Sequence, residues 1–199
     1  MFTGIIEQTG IVRSMGKEGS SLSFVIQCPF ANELKVDQSV SHNGVCLTVT
    51  SVSGDQYEVI AVEETLKRTN LGQLQPGDRL NLERCMKLNG RFDGHIVQGH
   101  VDGKAGVLSK NDKNGSHDFC FRLEAPHGGL IVEKGSVTVN GVSLTVVSCT
   151  ADTFCVTIIP YTLENTTFGS LGENDVVNIE FDIIGKYVKS MIDAGKAAT

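Results

Sequence analysis

The sequence has no tryptophan, only 4 prolines and no long run of apolar residues. No stretch approaches the roughly 20 apolar residues of a membrane-spanning helix. Acidic residues outnumber basic ones by 23 to 17, so the formal net charge is −6 at pH 7. This balance excludes a general nucleic-acid binder or a protein held on an anionic membrane, because both need a basic surface. The chain opens without the pattern of a signal peptide, so we expect a cytoplasmic protein.

The 6 cysteines also lack a recognisable pattern. None belongs to a Cys-x-x-Cys pair, and their spacing matches no common zinc site. Without a secretory signal they are predicted to be reduced thiols, mostly buried. His95 and His100 are an odd number of residues apart, which places them on opposite faces of a strand. The sequence therefore predicts no metal site.

The main feature of the sequence is an internal repeat. Residues 41–83 align without a gap on residues 138–180, an offset of 138 − 41 = 97, and 17 of the 43 aligned pairs are identical. Unrelated chains of ordinary composition would share roughly 3. The sequence therefore predicts two copies of one folding unit, residues 1–88 and 89–182, followed by a tail of residues 183–199.

Short β-prone runs separated by turn residues recur within each copy. In the first copy the runs 24–26, 45–52, 57–62 and 79–82 are separated by turns such as Gly54-Asp55 and Pro76-Gly77-Asp78. Six or so short strands with frequent turns are typical of a small antiparallel barrel or sandwich. The predicted fold class is all-β.

The tail follows a helical pattern instead. Its apolar residues lie at positions 184, 187, 188, 191 and 192, with charged residues on the opposite face. This spacing predicts an amphipathic helix of about 10–12 residues. The apolar stripe would pack either on a barrel or against another subunit.

The duplicated strand 45–50 presents polar side chains on one face. Because side chains alternate along a strand, the apolar residues at 45, 47 and 49 would face the barrel core, while Cys46 and Thr48 face outwards. Ser143 and Thr145 occupy the same places in the second copy. Two similar outward surfaces suggest two similar ligands.

Other short motifs bear on the chemistry that the chain could perform. His100 and Asp102 are two residues apart and would share one face of a strand, so an imidazole beside a carboxylate is a hypothesis for a proton-transfer pair. The run 140–145 lacks the second glycine of a nucleophile elbow, and no glycine-rich loop precedes a helix. An esterase and a nucleotide-binding protein are therefore not indicated.

Several motifs together resemble the riboflavin synthase family, α-chain type. They are the opening Met-Phe-Thr-Gly-Ile-Ile, the paired Asn-Gly-Val-Cys-Leu-Thr and Asn-Gly-Val-Ser-Leu-Thr strands, the run 94–101, and Ile-Ile-Gly-Lys-Tyr at 183–187. The resemblance implies two six-stranded antiparallel Greek-key barrels plus a C-terminal α-helix. It also implies a homotrimer assembled through those helices.

The same resemblance implies an enzyme of riboflavin biosynthesis. Two molecules of 6,7-dimethyl-8-ribityllumazine would react to give riboflavin and 5-amino-6-ribitylaminouracil, with no metal or organic cofactor. The working site would form between the first barrel of one subunit and the second barrel of a neighbour, and lumazine synthase is a candidate further partner. The alternative function is a non-catalytic lumazine- or flavin-binding carrier or a fluorescent antenna protein.

The substrate contacts implied by the family fall into two groups. To the first barrel the resemblance assigns Gly4, Ile5, Ile6, Cys46, Leu47, Thr48, Ile60, Ala61, Val62, Glu63, Glu64 and Thr65. To the second it assigns Gly99, His100, Val101, Lys134, Ser143, Leu144, Thr145, Ile159, Pro160, Tyr161, Thr162, Leu163 and Glu164. The chain departs from the family at Asn140 and Ile60, where relatives often carry Asp.

Three of these residues, His100, Ser143 and Cys46, are candidates for catalysis. His100 would take a proton from the C7 methyl group of one lumazine, since imidazole exchanges protons near neutral pH. Cys46, Ser143 or a water that they position would add to C7 of the other lumazine. Thr48 and Thr145 would bind polar atoms of the ligands. Holding the two rings together would remove much of the entropy cost of their encounter.

Overall fold

The computed structural model describes residues 1–197, so residues 198 and 199 of the predicted tail lie outside the described residues. The first half forms a closed antiparallel barrel with the strand order β1-β2-β5-β4-β3-β6. Its strands are β1 (Gln8–Glu18), β2 (Ser21–Gln27), β3 (Ser39–His42), β4 (Val45–Ser53), β5 (Gln56–Ala61) and β6 (Arg79–Arg84).

The second half repeats this barrel with the order β7-β8-β11-β10-β9-β12. Its strands are β7 (Gly103–Asp112), β8 (His117–Leu123), β9 (Ser136–Val139), β10 (Val142–Cys149), β11 (Thr153–Ile158) and β12 (Val176–Phe181). The helices are α1 (Glu63–Arg68), α2 (Pro160–Asn165) and α3 (Ile183–Ala197), with 3₁₀ turns at Ala31–Glu33, Asn70–Gln73 and Thr167–Gly169. The prediction of two six-stranded antiparallel barrels and a C-terminal helix is confirmed.

Each barrel encloses its own apolar core. In β5 the alternation is complete, since Tyr57, Val59 and Ala61 are buried and the residues between them are half-buried. The second barrel is filled by aromatic rings, with centroids 5.1–6.4 Å apart, from Phe119, Phe121, Phe154 and Phe168. Offset and edge-to-face ring pairs at such distances add to the stabilisation from buried area.

The C-terminal helix leaves its apolar stripe uncovered. Helix α3 spans 15 residues, longer than the sequence pattern predicts, because the helix continues beyond the last apolar position. Along the stripe Ile184 is 61% exposed, Tyr187 64% and Met191 72%. Among the described residues, no helix has both the length and the apolar character needed to cross a membrane.

The cysteine prediction is wrong for one pair. Cys120 and Cys155 lie directly opposite each other on β8 and β11 and form a disulfide. Neighbouring antiparallel strands bring such residues together, whereas the sequence separates them by 35 positions. Cys28, Cys46, Cys85 and Cys149 are free thiols, as predicted.

The two barrels meet at their duplicated Asn-Gly turns. Gly44 and Gly141 lie back to back, each with φ of +81°. A Cβ atom on either one would come within 2.8 Å of the backbone nitrogen of the other. Both the positive φ and the close approach require glycine.

Four buried asparagines join the barrels beside these turns. Asn81 donates from Nδ2 to the Asn140 carbonyl, and Asn178 donates from Nδ2 to the Asn43 carbonyl, both at 2.9 Å. The backbone N–H groups of Asn81 and Asn178 donate to the side-chain oxygens of Asn43 and Asn140, both at 2.8 Å. Asn140 is therefore an interface residue between the barrels, where its side-chain oxygen accepts from the Asn178 N–H and from Asn70 Nδ2.

One position breaks the symmetry of this interface. Asn70 donates from Nδ2 to Asn140 Oδ1 (3.2 Å) and to the Val176 carbonyl (3.0 Å), and it accepts from Asn178 Nδ2 (2.9 Å). Thr167 lies 97 positions later and is equally buried, but its hydroxyl has no hydrogen-bond partner among the described residues. Both residues line a groove of about 440 Å³ between the barrels.

We expect Thr167→Asn to stabilise the protein by about 1 kcal/mol, because its carboxamide can reach Asn43 as the side chain of Asn70 reaches Asn140. Asn70→Thr is the matched reverse change. It should cost about 2 kcal/mol, because it leaves one of the two N–H groups of the buried Asn178 amide without its acceptor. Urea unfolding measures both effects, and a lower midpoint for Thr167→Asn than for the wild type would contradict this account of the interface.

Candidate functional site

The outward faces of β4 and β10 carry the polar residues that the repeat predicts. Alternate residues of Val45–Val49 are buried in the first barrel, while Cys46 is half-buried and Thr48 is exposed. In β10, Ser143 is half-buried and Thr145 is exposed. The two strands thus present equivalent surfaces.

Two segments outside the strands complete these surfaces, and they cross between the barrels. In the N-terminal crossing segment (residues 3–6), the Gly4 carbonyl accepts a hydrogen bond from the Ser143 N–H at 2.8 Å. In the middle crossing segment (residues 98–101), the Gly99 carbonyl accepts from the Cys46 N–H at 2.9 Å. Each half of the chain therefore supplies one wall of the other half's site.

The assignment of these segments to barrels was wrong in the sequence-based prediction. Gly4, Ile5 and Ile6 lie beside the second barrel, where Ile6 packs against the core. Gly99, His100 and Val101 lie beside the first barrel, where Val101 packs against its core. The reason is that backbone pairing between distant parts of the chain leaves no periodic signal in the local sequence.

Glycine is required where each crossing segment meets its strand. Gly4 has φ of +77° and Gly99 has φ of +79°. A Cβ on Gly4 would lie 2.5 Å from the Ser143 Cβ, and one on Gly99 would lie 2.6 Å from the Cys46 Cβ. A larger residue would push the segment away from the site.

A buried carboxylate anchors the N-terminal crossing segment. Glu83, at the end of β6, accepts from the Thr3 N–H (2.6 Å), the Thr3 hydroxyl (2.8 Å) and the Gly4 N–H (3.0 Å). Burial raises the pKa of the Glu83 carboxyl, and its hydrogen bonds from Thr3 and Gly4 oppose that rise. The donors thus stabilise the charged form that the anchor requires.

Glu180 plays the same part for the middle crossing segment. It accepts from the N–H groups of Gln98 (2.7 Å), Gly99 (2.9 Å) and His100 (3.0 Å). Burial again raises the pKa of the carboxyl group, and the backbone donors together with Lys186 lower it. Glu83 and Glu180 are paired in the sequence repeat, so the duplication has preserved the anchor in both halves.

The first-barrel site opens as a cavity of about 180 Å³ beside Cys46. Six predicted substrate-contact residues line it, namely Cys46, Glu64, Thr65, Gly99, His100 and Val101. Burial raises the pKa of the Cys46 thiol, so this group is protonated at neutral pH. The arrangement therefore offers a thiol and an exposed imidazole rather than a thiolate nucleophile.

The second-barrel site contains a histidine that the sequence-based prediction missed. His95 Nδ1 lies 2.7 Å from Ser143 Oγ, and His95 Nε2 lies 3.2 Å from Thr138 Oγ1. In the tautomer protonated at Nε2, the ring accepts from Ser143 and donates to Thr138. Burial lowers the pKa of His95, so the neutral imidazole that can accept the serine proton predominates near pH 7.

His95 reaches Ser143 because the chain between the barrels passes close to the N terminus. The His95 N–H donates to the Thr3 carbonyl at 3.1 Å, and a Cβ on Gly94 would lie only 2.0 Å from that same oxygen. In the sequence, the spacing of His95 from His100 offers it only as a candidate metal ligand, which the alternation along a strand excludes. A histidine 48 residues from Ser143 gives no local sign of their contact.

The proposed pairing of His100 with Asp102 is not formed. Both residues precede β7 and lie outside regular strands, so the expected alternation does not apply. The Asp102 carboxylate instead accepts from the Phe181 N–H (2.8 Å) and from Lys186 Nζ (2.6 Å). Within residues 1–197, no hydrogen bond joins the two side chains.

The predicted contacts after β5 occupy one corner of the first barrel. Ile60 is half-buried on the outward face, whereas Ala61 is completely buried and points into the core, as does Leu47. Val62 is 56% exposed and precedes α1. Helix α1 contains Glu63, Glu64 and Thr65 in its first turn, and the two glutamates pair with basic residues of its last turn.

The equivalent corner of the second barrel is built in the same way. Ile159 is 57% exposed and precedes α2, whose residues Pro160, Tyr161, Thr162, Leu163 and Glu164 lie at the surface or are half-buried. Leu144 is half-buried beside the core. Lys134 is exposed in a left-handed turn (φ +64°), and its N–H donates to the Val146 carbonyl beside Thr145.

Among the described residues, no group of three or more His, Cys, Asp or Glu side chains could hold a metal ion.

The depressed pKa of His95 predicts a pH-dependent contribution to stability. The unfolded chain takes up a proton on this ring at about pH 6.5, above the pH at which the folded protein does so. The free energy of unfolding therefore falls as the pH drops below about 6.5. Between about pH 7.5 and 5.5, the free energy of unfolding of His95→Gln should therefore fall less than that of the wild type. Urea unfolding at the two pH values measures this difference. An equal or larger loss in the variant would contradict the buried neutral state.

A family model and curated relatives match the chain over nearly its whole length. The model described as the lumazine binding domain matches twice, at residues 3–85 and 98–182. The chain is 42% identical to riboflavin synthase of Bacillus subtilis (strain 168) over 189 residues, which cover 94% of this chain and 88% of the relative. It is 40% identical to riboflavin synthase of Actinobacillus pleuropneumoniae, with coverage of 96% and 90%.

A solved structure shares the fold. The crystal structure of LumP complexed with riboflavin superposes with a TM-score of 0.83 at 22% identity, covering 91% of this chain and 99% of that chain. The two matched domains coincide with the two barrels, each of which contains one of the equivalent sites. The chain therefore belongs to the riboflavin synthase family of duplicated lumazine-binding barrels.

Proposed function

We propose that the protein catalyses the riboflavin synthase reaction, in which two molecules of 6,7-dimethyl-8-ribityllumazine give riboflavin and 5-amino-6-ribitylaminouracil. The observation that carries this proposal is the duplicated site, in which each barrel strand is completed by a crossing segment from the other half. The reaction joins two copies of one substrate, and a chain with two equivalent pockets supplies a place for each. The similarity to curated riboflavin synthases supports the same function.

The two sites differ in the chemistry that they offer. The second-barrel site has Ser143 with its hydroxyl against the neutral imidazole of His95. This pair suits the addition of an oxygen nucleophile, either the serine itself or a water that it positions, to C7 of one lumazine. The first-barrel site has His100 exposed beside a protonated Cys46, which suits proton removal from the C7 methyl group of the other lumazine.

Holding the two rings together supplies a further part of the rate. A bimolecular reaction becomes effectively unimolecular when both reactants are bound in a reactive geometry. Rigid walls serve this purpose, and the anchors Glu83 and Glu180 fix one wall of each site through backbone hydrogen bonds. No step in this scheme needs a group other than the two lumazines, water and the side chains of the protein.

Purified protein incubated with 6,7-dimethyl-8-ribityllumazine should form riboflavin, followed by its absorbance and fluorescence. Ser143→Ala should lower turnover by about 10²-fold, because it removes the hydroxyl that His95 activates. Ser148→Ala is the matched control, since Ser148 lies exposed on the same strand, and it should retain wild-type turnover. Binding of lumazine without turnover by the wild type would favour the carrier function instead.

We also propose that the protein works as a homotrimer joined by α3. The apolar stripe of this helix, with Ile184, Tyr187 and Met191 largely exposed, is the kind of surface that a subunit contact buries. In such a trimer the first-barrel site of one subunit would face the second-barrel site of its neighbour. This arrangement would bring the two lumazines together, whereas the two sites of one chain lie on separate barrels.

The double variant Tyr187→Asp/Met191→Asp should be monomeric and at least about 10-fold less active, because two charges in the stripe would have to be desolvated in the contact. Light scattering after size-exclusion chromatography gives the mass, and the riboflavin assay gives turnover. Removal of residues 183–199 should have the same effect. A fully active monomer would contradict a site shared between subunits.

A further inference from the structure

The carboxylate of Asp102 lies at a junction of three elements. Its Oδ2 accepts from the backbone N–H of Phe181 in β12 at 2.8 Å and from Lys186 Nζ in α3 at 2.6 Å. The Asp102 N–H donates to the Ile179 carbonyl at 2.9 Å, where β7 begins to pair with β12. The side chains of Asp102 and Lys186 are 26% and 23% exposed, so their ion pair is shielded from most of the solvent.

Asp102 directly follows the middle crossing segment. Residues 98–101 of that segment form the wall of the first-barrel site, with Gly99 against Cys46 and His100 beside the cavity. Glu180 holds the backbone of residues 98–100, and Asp102 holds the chain directly after the segment. The position of His100 therefore depends on two anchors, and the second anchor is bound to α3 through Lys186.

The first half of the chain anchors its crossing segment without a helix. Glu7 takes the place of Asp102 there, since the Arg84 N–H donates to Glu7 Oε1 at 2.7 Å just as the Phe181 N–H donates to Asp102. The cation that pairs with Glu7 is the side chain of Arg84 itself, at 2.6 Å. Only the second anchor uses a residue outside the barrels, namely Lys186.

We propose that Lys186 and Asp102 form a positioning pair that couples helix α3 to the first-barrel lumazine site. The inference rests on the proposed function, because it assigns a role within that site. When α3 packs in this position, the Lys186 ammonium contacts the Asp102 carboxylate. This contact holds the end of the middle crossing segment and thereby orients His100. Neither residue of the pair lines the first-barrel cavity, so the pair acts through the crossing segment.

The electrostatics around Lys186 support this coupling. The ammonium group also favours the charged form of Glu180, the other anchor of the segment, and so lowers its pKa. Loss of Lys186 would therefore weaken both anchors of the segment. The corresponding N-terminal segment, held by Glu83 and Glu7, would be unaffected.

The experiment compares Lys186→Gln and Asp102→Asn with the full-length wild type. Asp102→Asn keeps an oxygen for the Phe181 N–H and removes only the charge. The matched control is Lys189→Gln, which breaks an exposed ion pair with Asp193 on the same helix. NMR signals of the His100 and His95 rings report on the first and second sites during titration with riboflavin.

We expect Lys186→Gln and Asp102→Asn to shift the riboflavin midpoint at the His100 signal about 10-fold upwards, which is the effect of about 1.4 kcal/mol. The midpoint at the His95 signal should stay unchanged, and turnover at subsaturating lumazine should fall with the His100 midpoint. Lys189→Gln should match the wild type in both signals. Lys186→Arg, which keeps a cation for the Asp102 carboxylate and leaves the Phe181 N–H its acceptor, should retain at least part of the His100 affinity.

Two results would overturn the proposal. One is a Lys186→Gln variant that matches Lys189→Gln at both reporters. The other is an equal loss at both reporters in Lys186→Gln that Lys186→Arg shares, since a general effect on folding or assembly would then be the cause. Failure of the proposed function is distinguishable from both, because the wild type itself would then show no turnover.

Discussion

Hydrogen bonds from backbone N–H groups to the buried carboxylates of Glu83 and Glu180 hold the two crossing segments, and both sites depend on them. A carboxylate removed from water loses several kcal/mol of hydration, which must be replaced by charge-assisted hydrogen bonds. Each glutamate accepts three such bonds. Five of these six bonds come from backbone N–H groups and one from the Thr3 hydroxyl, so they fix the path of the chain itself and thereby place Gly4 and Gly99 against their strands.

The two halves share their framework residues but differ at residues that line the two sites. The framework asparagines and the anchoring glutamates are identical in both copies. Cys46 in one site corresponds to Ser143 in the other, and among the described residues only Ser143 has an imidazole within hydrogen-bond distance. Equivalent folds therefore hold sites of different reactivity, as a reaction between two copies of one molecule in different roles requires.

The fold was predictable from the sequence because its signals are local or repeated. Alternating residues such as Val45 and Cys46 indicate strands, and the 97-residue offset indicates two barrels. The site was predictable only in part. The family resemblance assigned residues to the two sites, and six of them line the first-barrel cavity. The exchange of the segments around Gly4 and Gly99 did not follow from it. Nor did the contact of His95 with Ser143, since it forms between parts of the chain that only the tertiary fold brings together.

The disulfide and the Asp102 ion pair illustrate the same limit. Cys120 and Cys155 show no motif, and their pairing follows from the register of β8 against β11. The spacing alone predicts that Asp102 pairs with His100. Its carboxylate instead pairs with Lys186, in a helix more than 80 residues later in the chain. A periodic pattern specifies the face of an element, whereas the partner of a charged side chain depends on how the elements assemble.

The exchange of walls between the barrels has a consequence for how the gene can change. A substitution in the first half, at Gly4, alters the pocket of the second half, and a substitution at Gly99 does the reverse. The duplicated units are therefore not free to drift apart as separate modules. Selection on either pocket acts on residues of both halves at once, so the two copies remain constrained by each other long after their duplication.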